Sequence, residues 1–498
     1  MRKRFEQYPE LDFDPISEVE INTKSRHQLP AILVALQYIF TDQNLSEQIF
    51  ELLEDKITNQ KQNTGRMGMS LWEILVLGVV RLNLDIDYDF LLDHANNHIE
   101  LRGVLGVRTG GVFNTKGKKY SRQTIVDNVY LIDEETIKSI NEILVKAGHD
   151  LIKKKEKKEV LELEIKSDSY PVERNIHFPT DINLSWDSVR KIFDIVDKIV
   201  DENCRLLSGQ RKRKFNRKAV KRKNRLVSNI HSKKGANYSE RLEKSVVTLL
   251  DSYTKLLKTI EVNIAECKKS ISPKILLLSV ELKKYKDYLV KFSDQLRRRI
   301  LQGEKIPHCE KVFSIFEPDV EWLQKGKQGN KVELGHNVLV TTDQYHFILD
   351  YKTMEGERDN SQPLPLMGRL QNAYKSGYVL SSISFDRGFY SKLSKEGLEK
   401  TFTTVIMPSK GRPSKKAKEE ESGKRYRLFM NRHSAVESNI NELEHCGVNK
   451  VPDRGLIGFK RYVGYGVMAY NLKRLGNLVI ESRARKKAKP KKRIKRAA

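Results

Sequence analysis

The chain has 498 residues, 92 Lys and Arg against 65 Asp and Glu, a formal net charge of +27 and a pI near 9.6. That length suggests about three domains with a large buried core, and the charge excess predicts a polyanionic partner, most simply nucleic acid. Four cysteines (Cys204, Cys267, Cys309 and Cys446) form no Cys-x-x-Cys pair, which argues against a zinc site or a disulfide framework and fits a reducing cytosol.

The N-terminus, MRKRFEQYPELDF, lacks the apolar core of a signal peptide. The most apolar run, Leu71 to Leu84, is interrupted by Glu73 and Arg81 and is too short to cross a bilayer. It reads as a buried helix, and no membrane partner is expected.

Residues 1 to about 150 read as a helical N-terminal domain, a candidate for DNA binding. Ser70-x-x-Glu73 is a capping box for a helix over 71–82. Helix continues from Tyr88 to His98, and Gly103, Gly106, Gly110 and Gly111 then mark a loop before the basic cluster at 116–119. Ser121 to Leu131 and Glu134 to Ala147 are two helical patterns with a tight turn between them. They fit a helix-turn-helix reader and a plain bundle equally well.

The period changes at 155–168. Leu161, Leu163 and Ile165 alternate with Glu162, Glu164 and Lys166, which predicts a strand with Asp168 on its polar face at its end. Tyr170 to Asp181 is turn-rich and reads as irregular. Residues 183–310 then form a helical insertion. Leu242, Val246, Leu249, Tyr253, Leu256, Ile260 and Ile264 recur at spacings of three and four, as do Leu278, Leu282, Tyr285, Leu289, Phe292 and Leu296. This predicts a helical hairpin broken at Ser270–Pro273, serving as scaffold or dimer surface. Ahead of it, RKRKFNRKAVKRKNR over 211–225 holds ten cations in fifteen residues, which repel one another unless a polyanion is near. Ten more fall between Arg483 and Arg496, in a basic tail over 481–498.

From about 311 the β period returns. Strands are predicted at 332–341, 345–353, 378–386 and 401–407, with helices at 363–376, 391–400, 431–445 and 458–479 and a polar loop over 409–427. With the strand at 161 this is an α/β core, a mixed sheet covered by helices, built from 155–182 and 311–480.

Asp386 ends the strand Gly377-Tyr-Val-Leu-Ser-Ser-Ile-Ser-Phe-Asp386, where a carboxylate opens into a crevice on a rigid element. Asp168 is the second strand-end acid. Hard divalent cations take oxygen ligands, and two of them about 4 Å apart can activate a hydroxyl and stabilise a leaving oxygen at a phosphodiester. A third acid should come from a helix facing the sheet. On 432–445 the apolar stripe is Val436, Ile440 and Leu443, and Glu437 flanks it; Glu442 and Glu444 are the alternatives. Taken singly, each of the three has a plain reading, as a turn residue or a surface charge.

Asp386-Arg-Gly-Phe-Tyr-Ser391, Val332-Glu-Leu-Gly-His336, Arg432-His-Ser-Ala-Val-Glu-Ser438 and Gly458-Phe-x-x-Tyr462-Val-Gly464 with Tyr470-Asn-Leu472 resemble the DDE transposases of bacterial insertion sequences, most of all the ISNCY-like group. Lys166-Ser-Asp168-Ser and Phe178-Pro-Thr-Asp181 are similar to the segment around that family's first catalytic Asp. The resemblance spans roughly 160–182 and 311–480, touches the N-terminal region through Ser70-Leu-Trp-Glu-Ile-Leu, and finds nothing sharp within 205–300.

The resemblance implies a ribonuclease-H-like core and a DNA transposase that cleaves transposon ends and transfers strands into target DNA. Asp168, Asp386 and Glu437 would be its catalytic residues and the ligands of two Mg2+ ions, with Mn2+ as a substitute. The partners it implies are double-stranded DNA and a homodimer or higher assembly, in the cytoplasm on the nucleoid. Arg211, Lys212, Arg213, Lys214, Arg217, Lys218, Lys221, Arg222 and Arg432 are the candidate phosphate contacts. One register departs from the family pattern. In the Tyr-x-x-Arg-x-x-x-Glu signature of related transposases the Arg differs in position, since here Arg432 stands five residues before Glu437. The rival readings are a ribonuclease-H-type nuclease without strand transfer, a transposase-derived DNA-binding protein with an inert site, and, on charge alone, an RNA-binding structural protein.

Overall fold

The computed structural model describes residues 4–5, 14–58, 68–107, 117–207, 213–324, 332–411 and 415–488. The chain is α/β and divides into two compact units, residues 1–175 with 321–498, and residues 176–320.

The first unit is built on a mixed seven-stranded sheet: β1 (Leu161–Arg174), β2 (Glu321–Gln324), β3 (Val332–Thr342), β4 (Ile348–Thr353), β5 (Tyr378–Phe385), β6 (Thr404–Ile406) and β7 (Lys450–Val451). Its order is β2-β3-β1-β5-β6, with β4 on β3 and β7 on β1. β3 runs antiparallel to β1, β2 and β4, while β5 and β7 run parallel to β1 and β6 parallel to β5. The long strands β1 and β3 form the centre. On one side β3 is edged by β2 and then β4, and on the far side β1 is edged by β5 and then β7.

β1 is longer than its alternation suggests. The pattern ends near Asp168 because the apolar residues change faces: Leu161, Leu163 and Ile165 are buried on one, Tyr170 and Val172 on the other. The stretch from Tyr170 to Arg174 is therefore strand, not loop, and Asp168 sits mid-strand. β2 and β7, of four and two residues, were not foreseen. The predicted helix over 431–445 is two helices, Lys424–His433 and Ala435–Glu444, meeting at Ser434. The predicted loop over 409–427 contains the helix Lys415–Ser422.

The N-terminal helices and the sheet share one hydrophobic core. Ser70 caps the helix Leu71–Asn83, and the reciprocal bond from the Ser70 backbone to Glu73 completes the capping box. The helix Glu134–Glu156 buries Ile137, Ile140, Leu144 and Val145, and its Asn141 donates to the carbonyl of Ile348 on β4. It is thus a packing element of a bundle.

The helix Gly455–Ala488, 34 residues and about 50 Å long, carries Asn471. This fully buried amide accepts from the Ile348 N–H at 2.9 Å and donates to the Ile348 carbonyl at 2.8 Å, satisfying the outer edge of β4. Among the described residues no helix is long and apolar enough to cross a membrane.

The second unit is helical: Asp181–Glu202, Arg213–Lys233, Tyr238–Cys267 and Pro273–Leu296. The predicted hairpin is its scaffold, with Leu242, Val246, Leu249, Tyr253, Leu282, Leu289 and Phe292 in a separate core. Buried Tyr253 keeps its hydroxyl satisfied by Ser185 and Asn224.

Close helix contact in the first unit depends on Gly476. A Cβ there would lie 1.8 Å from the carbonyl oxygen of Ala31 in the helix Leu29–Thr41. Gly476→Ala should therefore destabilise the unit by about 1–3 kcal/mol, read as a lower melting temperature, although Ala is intrinsically the better helix former.

Candidate functional site: an acidic cluster where a strand ladder ends

The parallel ladder of β1 and β5 pairs Lys166 with Ser384 and Ser167 with Phe385, and there β5 ends. The next residue on each side is an acid, Asp168 and Asp386. Neighbouring strands lie about 4.8 Å apart, so the two acids leave the ladder side by side. β7 joins the same edge of β1 only at Glu173. The opening that a strand end would provide is thus made by the end of the neighbouring strand.

Asp386 is exposed, on extended backbone (φ −74°, ψ 165°), and starts the short turn Arg387–Phe389. That turn is anchored by buried Phe389 against Phe385, ring centroids 5.2 Å apart.

Glu437 lies in the first turn of the helix Ala435–Glu444, whose Val436, Ile440 and Leu443 are buried. This helix and the one before it lie along one face of β1. Arg432 bonds Glu164, Glu437 raises the pKa of Asp168, and Glu444 acts on Tyr170. Of the alternatives to Glu437, Glu442 pairs with Lys473 at 2.7 Å, while the charge of Glu444 bears on Tyr170.

Asp386 and Glu437 thus stand near enough to Asp168 for their charges to bear on its carboxyl. Burial pushes the Asp168 carboxyl up to about 6, and the nearby carboxylates of Asp386, Asp359 and Glu437 push the same way, against a 2.8 Å bond from the Ser169 N–H.

Asp359 was missed. It follows Arg358 in the turn Asp359–Ser361, with no periodicity to mark it. The Ser169 hydroxyl donates to its Oδ1 at 2.8 Å, and a Cβ at Gly388 would stand 3.3 Å from its Oδ2. Asp359 thus sits between the residue after Asp168 and the turn after Asp386.

Two basic groups lie beside the acids: His433, which its place four residues before Glu437 offers from the sequence as a residue to position a phosphate, and Lys166, which was not singled out. Buried His433 contacts the Ser384 hydroxyl through Nδ1 at 3.0 Å. Burial lowers its pKa, while Asp386 and Glu437 oppose that shift. Lys166, buried two residues before Asp168, is lowered by desolvation against Asp343 and Glu164. Their signal was spacing: His433 is one turn before Glu437, and Lys166 shares a strand face with Asp168.

Arg432 spans both oxygens of Glu164 at 2.9 and 2.8 Å, so its charge is already engaged. Arg213, Lys214, Arg217, Lys218, Lys221 and Arg222 lie on the helix Arg213–Lys233 of the second unit. Arg211 and Lys212 fall outside the described residues.

Among the described residues no three His, Cys, Asp or Glu side chains are drawn tightly enough together to hold a metal by themselves. The donor set is nonetheless all hard oxygen. Mg2+ takes one or two carboxylates and fills its shell with water and substrate phosphate, so these residues fit such an ion without a closed cage.

No family model, curated protein or solved structure matches the chain.

Asp168 also links stability to pH. Its folded pKa, about 6, lies above the ordinary 3.8, so the folded form holds the proton longer. Stability on this account is full below pH 4 and declines as pH rises to 6, by about 3 kcal/mol at most. Asp168→Asn should therefore melt higher than the parent above pH 6 and no higher below pH 4, as measured by thermal unfolding across that range.

Proposed function

We propose that the chain is a metal-dependent DNA transposase of the DDE type, with Asp168, Asp386 and Glu437 as its catalytic acids. The observation that carries this reading is the β1–β5 register, which sets two acids from distant parts of the sequence side by side, with Glu437 on the helix across that face.

The strand arrangement supports it. Apart from β2 and β7, the order is β4-β3-β1-β5-β6, three antiparallel strands followed by two parallel to the first. On this reading the sheet would be ribonuclease-H-like, with the first acid on its central strand.

On this reading Asp168, Asp386 and Glu437 would hold Mg2+, with Asp359 close by. The ion would supply charge stabilisation at a phosphodiester and a more acidic attacking hydroxyl. The chain's own residues do the rest. The ladder end holds two carboxylates at fixed spacing, and the exposed positions of Asp386 and Glu437 leave room for a DNA backbone. His433, bonded to Ser384, pins the end of the helix before the one that carries Glu437 to β5. Hydrolysis at a transposon end would free a 3′-hydroxyl, which would then attack target DNA in line. Holding two DNA ends calls for a homodimer or higher assembly.

The acids can be tested without activity. Mg2+ should raise the melting temperature, by about 1.4 kcal/mol of stability at ten times its Kd, and Asp386→Asn should abolish the shift.

The activity is tested with the ends of the element and a target plasmid in Mg2+. Asp168→Asn, Asp386→Asn and Glu437→Gln should each reduce cleavage about a thousandfold or more, some 4 kcal/mol of barrier. Full cleavage by Asp386→Ala would remove the assignment. Cleavage without joining of a pre-cut end would leave a nuclease of the same fold.

A further inference from the structure

The run of cations over 211–225 folds into two faces with different fates. On the helix Arg213–Lys233 the inward stripe is Arg213, Arg217, Val220, Asn224 and Val227, at spacings of four, three, four and three. Its members are used up inside the second unit. Arg213 pairs with Asp197, Arg217 with Asp194 at 2.7 Å, Val220 and Val227 are buried, and Asn224 bonds the Ile182 carbonyl and the Tyr253 hydroxyl.

One residue further round, Lys214, Lys218, Lys221 and Arg225 repeat the four, three, four spacing, with Arg222 beside them, and all five are exposed. Among the described residues none of the five has a carboxylate partner, and the helix itself contains no Asp or Glu. Like charges one turn apart repel. The inward stripe holds the helix in place against that repulsion, and the outward row is left with its charge uncompensated.

We infer that this outward row is a duplex-DNA binding face that grips the phosphate backbone without reading sequence. The inference rests on the reading that DNA is the partner, and it separates the contact residues from the structural ones. From Lys214 to Arg225 the row is about 16 Å long at 1.5 Å per residue, enough to face several phosphates of one strand at 3.4 Å of axis each. Three of its five cations are lysines, mobile point charges suited to phosphate rather than to paired bonds with a base edge. The row belongs to a unit with its own hydrophobic core, so it does not depend on the acidic cluster for its shape.

The test uses the full chain without added metal, on two short duplexes of unrelated sequence, with binding followed by fluorescence anisotropy across a salt series. Each phosphate contact contributes about 0.9 to the slope of log K against log salt. Replacing Lys214, Lys218, Lys221 and Arg225 with Gln should flatten that slope by about 3 to 4 and weaken both duplexes alike. Lys218→Gln alone should flatten it by about 1, a reading that survives if the fourfold variant melts early.

Arg217→Gln, which breaks the Asp194 pair, should lower the melting temperature and leave the slope as it is. An unchanged slope in a folded fourfold or single variant overturns the inference, as does weakening confined to one duplex or tighter binding of duplex RNA of the same sequence. Because no cleavage is read, an inactive acid cluster would not alter these results. Cleavage with an unchanged slope would overturn only this face.

Discussion

Two carboxylates are held next to each other by backbone pairing that neither of them can influence. The register of β1 against β5 is set by Leu163, Ile165, Ile383 and Phe385, all buried. Slipping the register by one residue would turn those side chains out of the core. The apolar face therefore dictates where Asp168 and Asp386 stand, and burial first, with the neighbouring acids adding to it, holds the Asp168 carboxyl above the ordinary carboxylate range. Carboxyls shifted by burial and by neighbouring acids are concentrated at functional sites.

The second unit handles like charge in the same manner. Its basic helix is docked by Val220, Val227 and Asn224 and by two ion pairs, while Lys214, Lys218, Lys221, Arg222 and Arg225 face water. In both units a well-packed face fixes the backbone and an unfavourable cluster of one sign is displayed on it. The signs are opposite, acidic at the ladder end and basic along the helix.

Much of this was legible in the sequence where one periodicity runs unbroken. The hairpin positions from Leu242 to Phe292, the capping box at Ser70 and the strand ending before Asp386 follow from spacing alone. The second half of β1 was not legible. Its apolar residues change face near Asp168, and Pro171 suggests a break. A proline is tolerated there because β1 is unpaired on its β5 side between the end of β5 and the start of β7. β2 and β7 are too short to show a period, and Ser434 gives no sign that it divides a helix. Asp359 was invisible for a different reason: it enters through a turn, and only the fold brings Ser169 and Gly388 to it.

The four acids also form a local inversion of sign in a chain of net charge +27. On the proposed reading a polyanion is the partner, yet phosphate approaching Asp168, Asp386, Glu437 and Asp359 would meet like charge at short range. Lys166 and His433 do little to offset this. Both are buried, and burial disfavours their charged forms. A cation between carboxylate and phosphate resolves the conflict, since it is attracted by both. The acids alone would suit any divalent ion, and the basic helix alone would suit any nucleic acid. On the proposed reading the metal would be completed by the phosphate it acts on, and the acids would not need to form a closed cage of their own.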